Sequence, residues 1–90
     1  MPKLKIPSLM LFYVNGEKEI ELKGASILEV LINLINRYPN IKKQIFDGNN
    51  NLRRHINIFI NDQNINDLGL LETPISENDI IRIVPSISGG

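Results

Sequence analysis

The chain has 90 residues, no cysteine, 42% hydrophobic residues and equal numbers of basic and acidic side chains. Ninety residues support one domain, and a chain this short hides only about 60% of its unfolded surface, so it needs a well-patterned core. The lack of cysteine excludes disulfides, thiol catalysis and zinc–thiolate sites. Zero net charge argues against a general electrostatic grip on nucleic acid or an anionic membrane.

The charge is nevertheless uneven. Residues 1–54 carry nine Lys and Arg against five acids, whereas residues 55–90 carry only Arg82 against Asp62, Asp67, Glu72, Glu77 and Asp79. Such an acidic half reads either as solvated turns or as a surface complementary to a basic partner. His55 is the sole histidine and offers no ligand cluster, so no metal or bound cofactor is expected. No apolar stretch approaches the roughly 20 residues that span a bilayer. Met1–Lys5 lacks the apolar run of a signal peptide. The expectation is a soluble cytoplasmic protein.

Lys3-Leu4-Lys5-Ile6 alternates polar and apolar, as a half-buried strand does, until Pro7 interrupts it. Residues 9–14 are a continuous apolar run whose state the pattern leaves open. Asn15-Gly16 is a turn signal, and Glu17–Leu22 reads as a second strand with Ile20 and Leu22 on one face. An opening hairpin follows from this order.

Ser26-Ile27-Leu28-Glu29 is a capping box, in which Ser accepts a helical N–H and Glu reaches back. The helix behind it places Ile27, Leu28, Leu31, Leu34, Ile35 and Tyr38 on one face. Pro39 ends it, because the residue before proline resists helical geometry. A second short helix is expected over about residues 41–46, stopped by Asp47-Gly48.

Gly48–Asn51 is a loop by composition. Ile56–Asn61 alternates again, with Ile56, Ile58 and Ile60 inward and Phe59 outward beside Asn57. A short strand is expected near residues 63–65. The last strand, Ile80–Val84, is nearly all apolar and should sit inside the sheet. Pro85 then denies it the next ladder donor. The fold class is α+β: helices on one face of a mixed sheet of four to five strands. The boundaries are a domain over residues 1–84 and a flexible tail over residues 85–90.

The tail ends in Gly89-Gly90. Glycine has no Cβ and fits where other residues clash. Six residues beyond Val84 reach about 20 Å if extended. Such an arm can enter a narrow active-site channel.

With the tail in place, the whole chain resembles the ubiquitin-like β-grasp sulfur carriers of the MoaD/ThiS family, and most of all their CysO type. The matching stretches are Arg53–Asp62, Ile75–Asp79 and Ile80–Pro85 leading to Gly89-Gly90, with Ile6-Pro7 and the helix from Ser26 to Tyr38. The resemblance implies a β-grasp sheet on one main helix. It implies that Gly90 is the working residue and Gly89 its slim neighbour. A partner of the E1-like, MoeB/ThiF type would use ATP to adenylate the Gly90 carboxylate, which is ionised and unreactive at neutral pH. A sulfur donor would displace AMP and leave a thiocarboxylate. An acceptor enzyme would then take the sulfur: a cysteine synthase foremost, otherwise a molybdopterin synthase large subunit or a thiazole synthase. The domain itself would be a protein co-substrate and not an enzyme. The rival reading is a ubiquitin-like modifier joined to lysines through Gly90.

Docking is expected on an apolar surface near the arm. Phe59 is the first candidate. Alternation alone does not say which face of the last strand is core. We assign Ile81 and Ile83 to the core and Ile80, Arg82 and Val84 to the partner, together with Pro85, Ile87 and Ser88 of the tail. Arg53-Arg54 reads as a solvated strand entrance, and His55 as an incidental surface histidine with no nucleophile to serve.

Overall fold

A computed structural model describes residues 1–86 of the chain. Its five strands are β1 (Lys3–Lys5), β2 (Glu19–Glu21), β3 (Ile56–Ile60), β4 (Gln63–Asn64) and β5 (Ile80–Pro85). They form one mixed sheet in the order β2-β1-β5-β3-β4. Only the β1–β5 pair is parallel. The apolar last strand therefore lies in the middle, where both of its edges are paired.

Two helices cover one face of the sheet, α1 (Ile27–Arg37) and α2 (Lys42–Ile45). The capping box forms at the start of α1: Ser26 Oγ accepts the Glu29 N–H at 3.2 Å, and Glu29 Oε1 accepts the Ala25 N–H at 3.0 Å. Tyr38 closes the helix and Pro39 follows. Its buried stripe is Ile27, Val30, Leu31 and Leu34. This corrects the expected face. Leu28 is exposed, Ile35 and Tyr38 are half-buried, and Val30 takes the central place. The spacing i, i+3, i+4, i+7 counted from Ile27 selects Val30, and Leu28 falls outside that stripe.

The sheet contributes a register row of buried side chains, Ile20–Leu4–Ile81–Ile60, with Ile58 opposite Ile83 beside it. Ile81 and Ile83 thus face the core. Residues 9–14, left open by the pattern, belong to a 3-10 helix over Ser8–Val14. Met10 and Val14 plug the open end of the core, while Leu9 and Phe12 stay outside.

The last strand runs one residue further than its sequence suggests. Pro85 stands opposite Ile56 within the ladder. The Ser86 N–H donates to the His55 carbonyl, so Pro85 and Ile56 form a non-hydrogen-bonded pair. The missing proline donor is not needed on that side, and β1 has already ended on the other. Among the described residues, no helix is long and apolar enough to cross a membrane.

Candidate functional site: the outer sheet face and the tail exit

With the helices on one side, the other face of the sheet carries the remaining side chains of the alternating strands. One register row crosses all five strands: Glu19, Lys5, Arg82, Phe59 and Asn64. A second joins Glu21, Lys3 and Ile80, and a third pairs Val84 with Asn57. Cross-strand partners share a face and touch, so each row acts as a unit.

The expected site residues fall as follows. Phe59 and Ile80 are half-buried on the outer face, Arg82 is exposed between them, and Val84 is 38% exposed. The four make one patch with an apolar body and one cation. Pro85 does not join it. Alternation puts Pro85 on the inner row with Ile81 and Ile83, where it is half-buried at the edge of the core. Ile87, Ser88, Gly89 and Gly90 lie outside the described residues, as does the expected flexible tail beyond Ser86.

Electrostatics at the patch edge are modest. Lys3 Nζ lies 3.7 Å from Glu19 Oε1, with both side chains about half exposed. Such a pair adds little stability in water. Where β3 hands over to β5, Asn61 donates its N–H to the Ile80 carbonyl at 2.7 Å. This bond and the Ser86–His55 bond bracket β5 at its two ends. The strand is thereby held to its β3 neighbour from Ile80 through Ser86.

Two ionisable groups are perturbed, and both sit in loops that shape this end of the fold. The Tyr38 phenol donates to the Glu17 carboxylate, which raises its pKa above the ordinary value. Asp47 Oδ1 accepts the N–H of Asn51 at 3.0 Å and of Asn49 at 2.8 Å, which holds its carboxyl below the ordinary value. Neither group faces a nucleophile. No group of three or more His, Cys, Asp or Glu is placed to hold a metal among the described residues. The geometry offers recognition and aim.

The sequence pattern missed Lys5 and Asn64 as members of the long row, and Leu9 and Phe12 as exposed apolar side chains. The first two follow from register, which single strands do not reveal. The second pair had a signal: six consecutive apolar residues are more than one end of so small a core can bury.

A family model, described as the ThiS family, matches residues 8–90. The chain belongs to the ThiS family. Among curated proteins this ThiS-family chain is similar to the sulfur carrier protein CysO of Mycobacterium tuberculosis. The two are 28% identical over 97% of this chain and 96% of the relative. Among solved structures it is similar to a chain of the Amycolatopsis orientalis BexX/CysO complex. That match has a TM-score of 0.91 and 31% identity, and it covers all of both chains. The small archaeal modifier protein 1 of Methanosarcina acetivorans matches with a TM-score of 0.88 and 35% identity, over 99% of this chain and 95% of that one. The expected ubiquitin-like β-grasp is the fold of this ThiS-family chain.

Proposed function

We infer that this chain is a sulfur carrier whose Gly90 carboxylate is the point of loading. The observation that carries the reading is the full-length match to a CysO carrier, within a family model that runs through residue 90. The carboxylate oxygen attacks the α-phosphorus of ATP on a partner enzyme and expels pyrophosphate. A sulfur nucleophile then adds to the acyl carbon, AMP leaves with the C–O bonding pair, and a thiocarboxylate remains. Sulfur is softer and more nucleophilic than the oxygen it replaces, so the loaded carrier attacks an electrophile held by an acceptor enzyme. Likeness to CysO favours cysteine formation as the destination.

The partners are an E1-like adenylating enzyme of the MoeB/ThiF type and a sulfur-acceptor enzyme. They supply the catalytic positioning and electrostatics. This domain supplies an anchored strand and a face to be read. Phe59, Ile80, Arg82 and Val84 are the side chains offered for reading, and Gly89 keeps the approach to Gly90 free of bulk.

The test is intact-mass analysis after incubation with the adenylating enzyme, ATP and a sulfide source. A mass gain equal to exchange of one oxygen for sulfur, lost in Gly90→Ala, supports the carrier. Thiocarboxylate formation at the wild-type rate in Gly90→Ala would sink it. Likeness to a small archaeal modifier protein favours a second reading, in which the same activated carboxylate acylates a lysine amine. Higher-mass conjugates with a Gly-Gly remnant on lysine would establish that use.

A further inference from the structure

The sheet's outer face is not the most exposed apolar surface of the fold. Phe12 is 89% exposed and Leu9 66%, both on the 3-10 helix over Ser8–Val14. Phe12 makes an edge-on contact with Tyr13, ring centroids 5.5 Å apart, and is otherwise left in water. The neighbouring Met10 and Val14 are wholly packed, so this helix is anchored and presents the pair rigidly. On a 3-10 helix residues i and i+3 stand one above the other, so Leu9 and Phe12 form one exposed apolar patch, and such a patch marks a contact surface.

Topology places this pair. β1 runs parallel to β5, with Lys5 beside Arg82, so the chain leaving β1 through Pro7 emerges at the end where β5 finishes. The same end holds a basic cluster. The Ser86 N–H bonds to His55, the Arg53 N–H bonds to the Ile45 carbonyl at 2.9 Å, and Arg53 Nε donates to the Lys43 carbonyl at 2.6 Å. Lys42, Lys43, Arg53 and Arg54 form no ion pair among the described residues. Glu19 pairs with Lys3, and the other acids of this end, Glu17, Asp47 and Glu72 (which shares a cleft with Arg53 and Arg54), are fewer than these four cations. The tail exit is therefore a positive surface with an apolar prong.

We propose that Leu9 and Phe12 are the apolar anchor of the surface that docks the adenylating enzyme, in a socket whose rim carries carboxylates facing Arg54 and Lys43. The proposal rests on the carrier reading, through the length of the tether. Gly90 is the fourth residue after Ser86, a reach of ~14 Å at most. An enzyme that holds Gly90 in its active site must press against the end from which the tail leaves. A standard footprint of about 800 Å² is roughly 30 Å across, and the domain measures only 33 × 29 × 23 Å. Such a footprint covers the whole end, prong and basic cluster together. The apolar prong supplies affinity, and the cations steer the encounter.

The experiment is steady-state pyrophosphate release with the adenylating enzyme from the same cell, varying the carrier. Phe12→Ser should raise the KM for the carrier about tenfold while kcat and melting temperature stay those of the wild type. Leu28→Gln, which removes exposed apolar surface on α1, should leave KM unchanged. Arg54→Glu should raise KM at low salt, with the effect shrinking as salt is added. A KM within about twofold of wild type for Phe12→Ser, on the scale set for a buried anchor, overturns the anchor. An unchanged KM for Arg54→Glu at low salt overturns the acidic rim. No turnover of the wild-type chain overturns the carrier reading and this surface with it, whereas turnover with unchanged KM values overturns the surface alone.

Discussion

Asn61 and Ile80 hold each other by two hydrogen bonds. The Asn61 N–H donates to the Ile80 carbonyl at 2.7 Å, and the Ile80 N–H donates to Asn61 Oδ1 at 3.1 Å. Asn61 Nδ2 also donates to Asp79 Oδ1 at 3.1 Å, and Asp79 Oδ2 accepts the Ser76 N–H at 2.6 Å. One side chain thus ties the end of β3 to the start of the central strand.

Asn61 has a φ of 55°, a left-handed conformation that asparagine tolerates better than alanine. Asn61→Ala loses both side-chain bonds and strains the backbone, and should cost ~2 kcal/mol. Asn61→Gly loses the bonds without the strain and should cost ~1 kcal/mol. Urea unfolding of the two variants separates the contributions. Equal costs would mean that the φ carries no strain.

Gly24 is held tightly against the first turn of α1. A Cβ there would stand 2.7 Å from Val30 Cγ2 and 2.9 Å from the Val30 backbone nitrogen. Val30 is wholly buried and its N–H is bonded to the Ser26 carbonyl, so neither atom can withdraw cheaply. Gly24→Ala should destabilise by ~3 kcal/mol and lower the melting temperature by ~10 °C or more. Gly48→Ala, with open space around the added methyl, is the control and should melt like the wild type.

These two positions show what the sequence does and does not reveal. The capping box and the alternation of Ile56–Ile60 are local codes, and the fold follows them because no tertiary contact competes. The segment over residues 9–14 has no period, so its conformation depends on which residues the core end can accept. Leu28 and Val30 both fit a helical stripe, and only tertiary packing chooses between them. Pro85 reads as a stop, yet it stays in the ladder because its register makes no use of its missing N–H. At the site, alternation delivers Phe59, Ile80, Arg82 and Val84 to one face. It does not bring Phe12 to the end that holds Arg54. Parallel pairing of β1 with β5 does that, and such long-range pairing leaves no local trace.

Stability should fall at alkaline pH through Tyr38. Its phenol donates to Glu17 and is partly desolvated, so its folded-state pKa lies above the ordinary value of 10.0. A group raised in this way stabilises the fold fully below its unfolded pKa. That contribution is lost as pH rises from about 10 through the folded value, because the unfolded chain releases the proton first. The urea midpoint should therefore drop more steeply above pH 10 in the wild type than in Tyr38→Phe. Parallel curves for the two would show that the Glu17 bond is not kept in solution.

Val84 tests whether the outer sheet face is read together with the tail. It is 38% exposed, pairs with Asn57 and is the last outward side chain of β5 before Pro85 turns inward. A partner that draws Gly90 into its active site covers this position first. Val84→Glu places a carboxylate there, near Arg82, and exposed strand positions tolerate such changes within about 0.5–1 kcal/mol. Folding should persist, with an unchanged melting curve to within a few degrees. Docking should not persist unaltered, because the carboxylate would be desolvated against an apolar partner surface. Thiocarboxylate formation followed by intact mass should show a KM about tenfold higher than wild type, with Phe59→Ala moving in the same direction. If both variants load sulfur like the wild type while Phe12→Ser does not, docking uses the end of the domain and leaves the sheet face free for the acceptor enzyme.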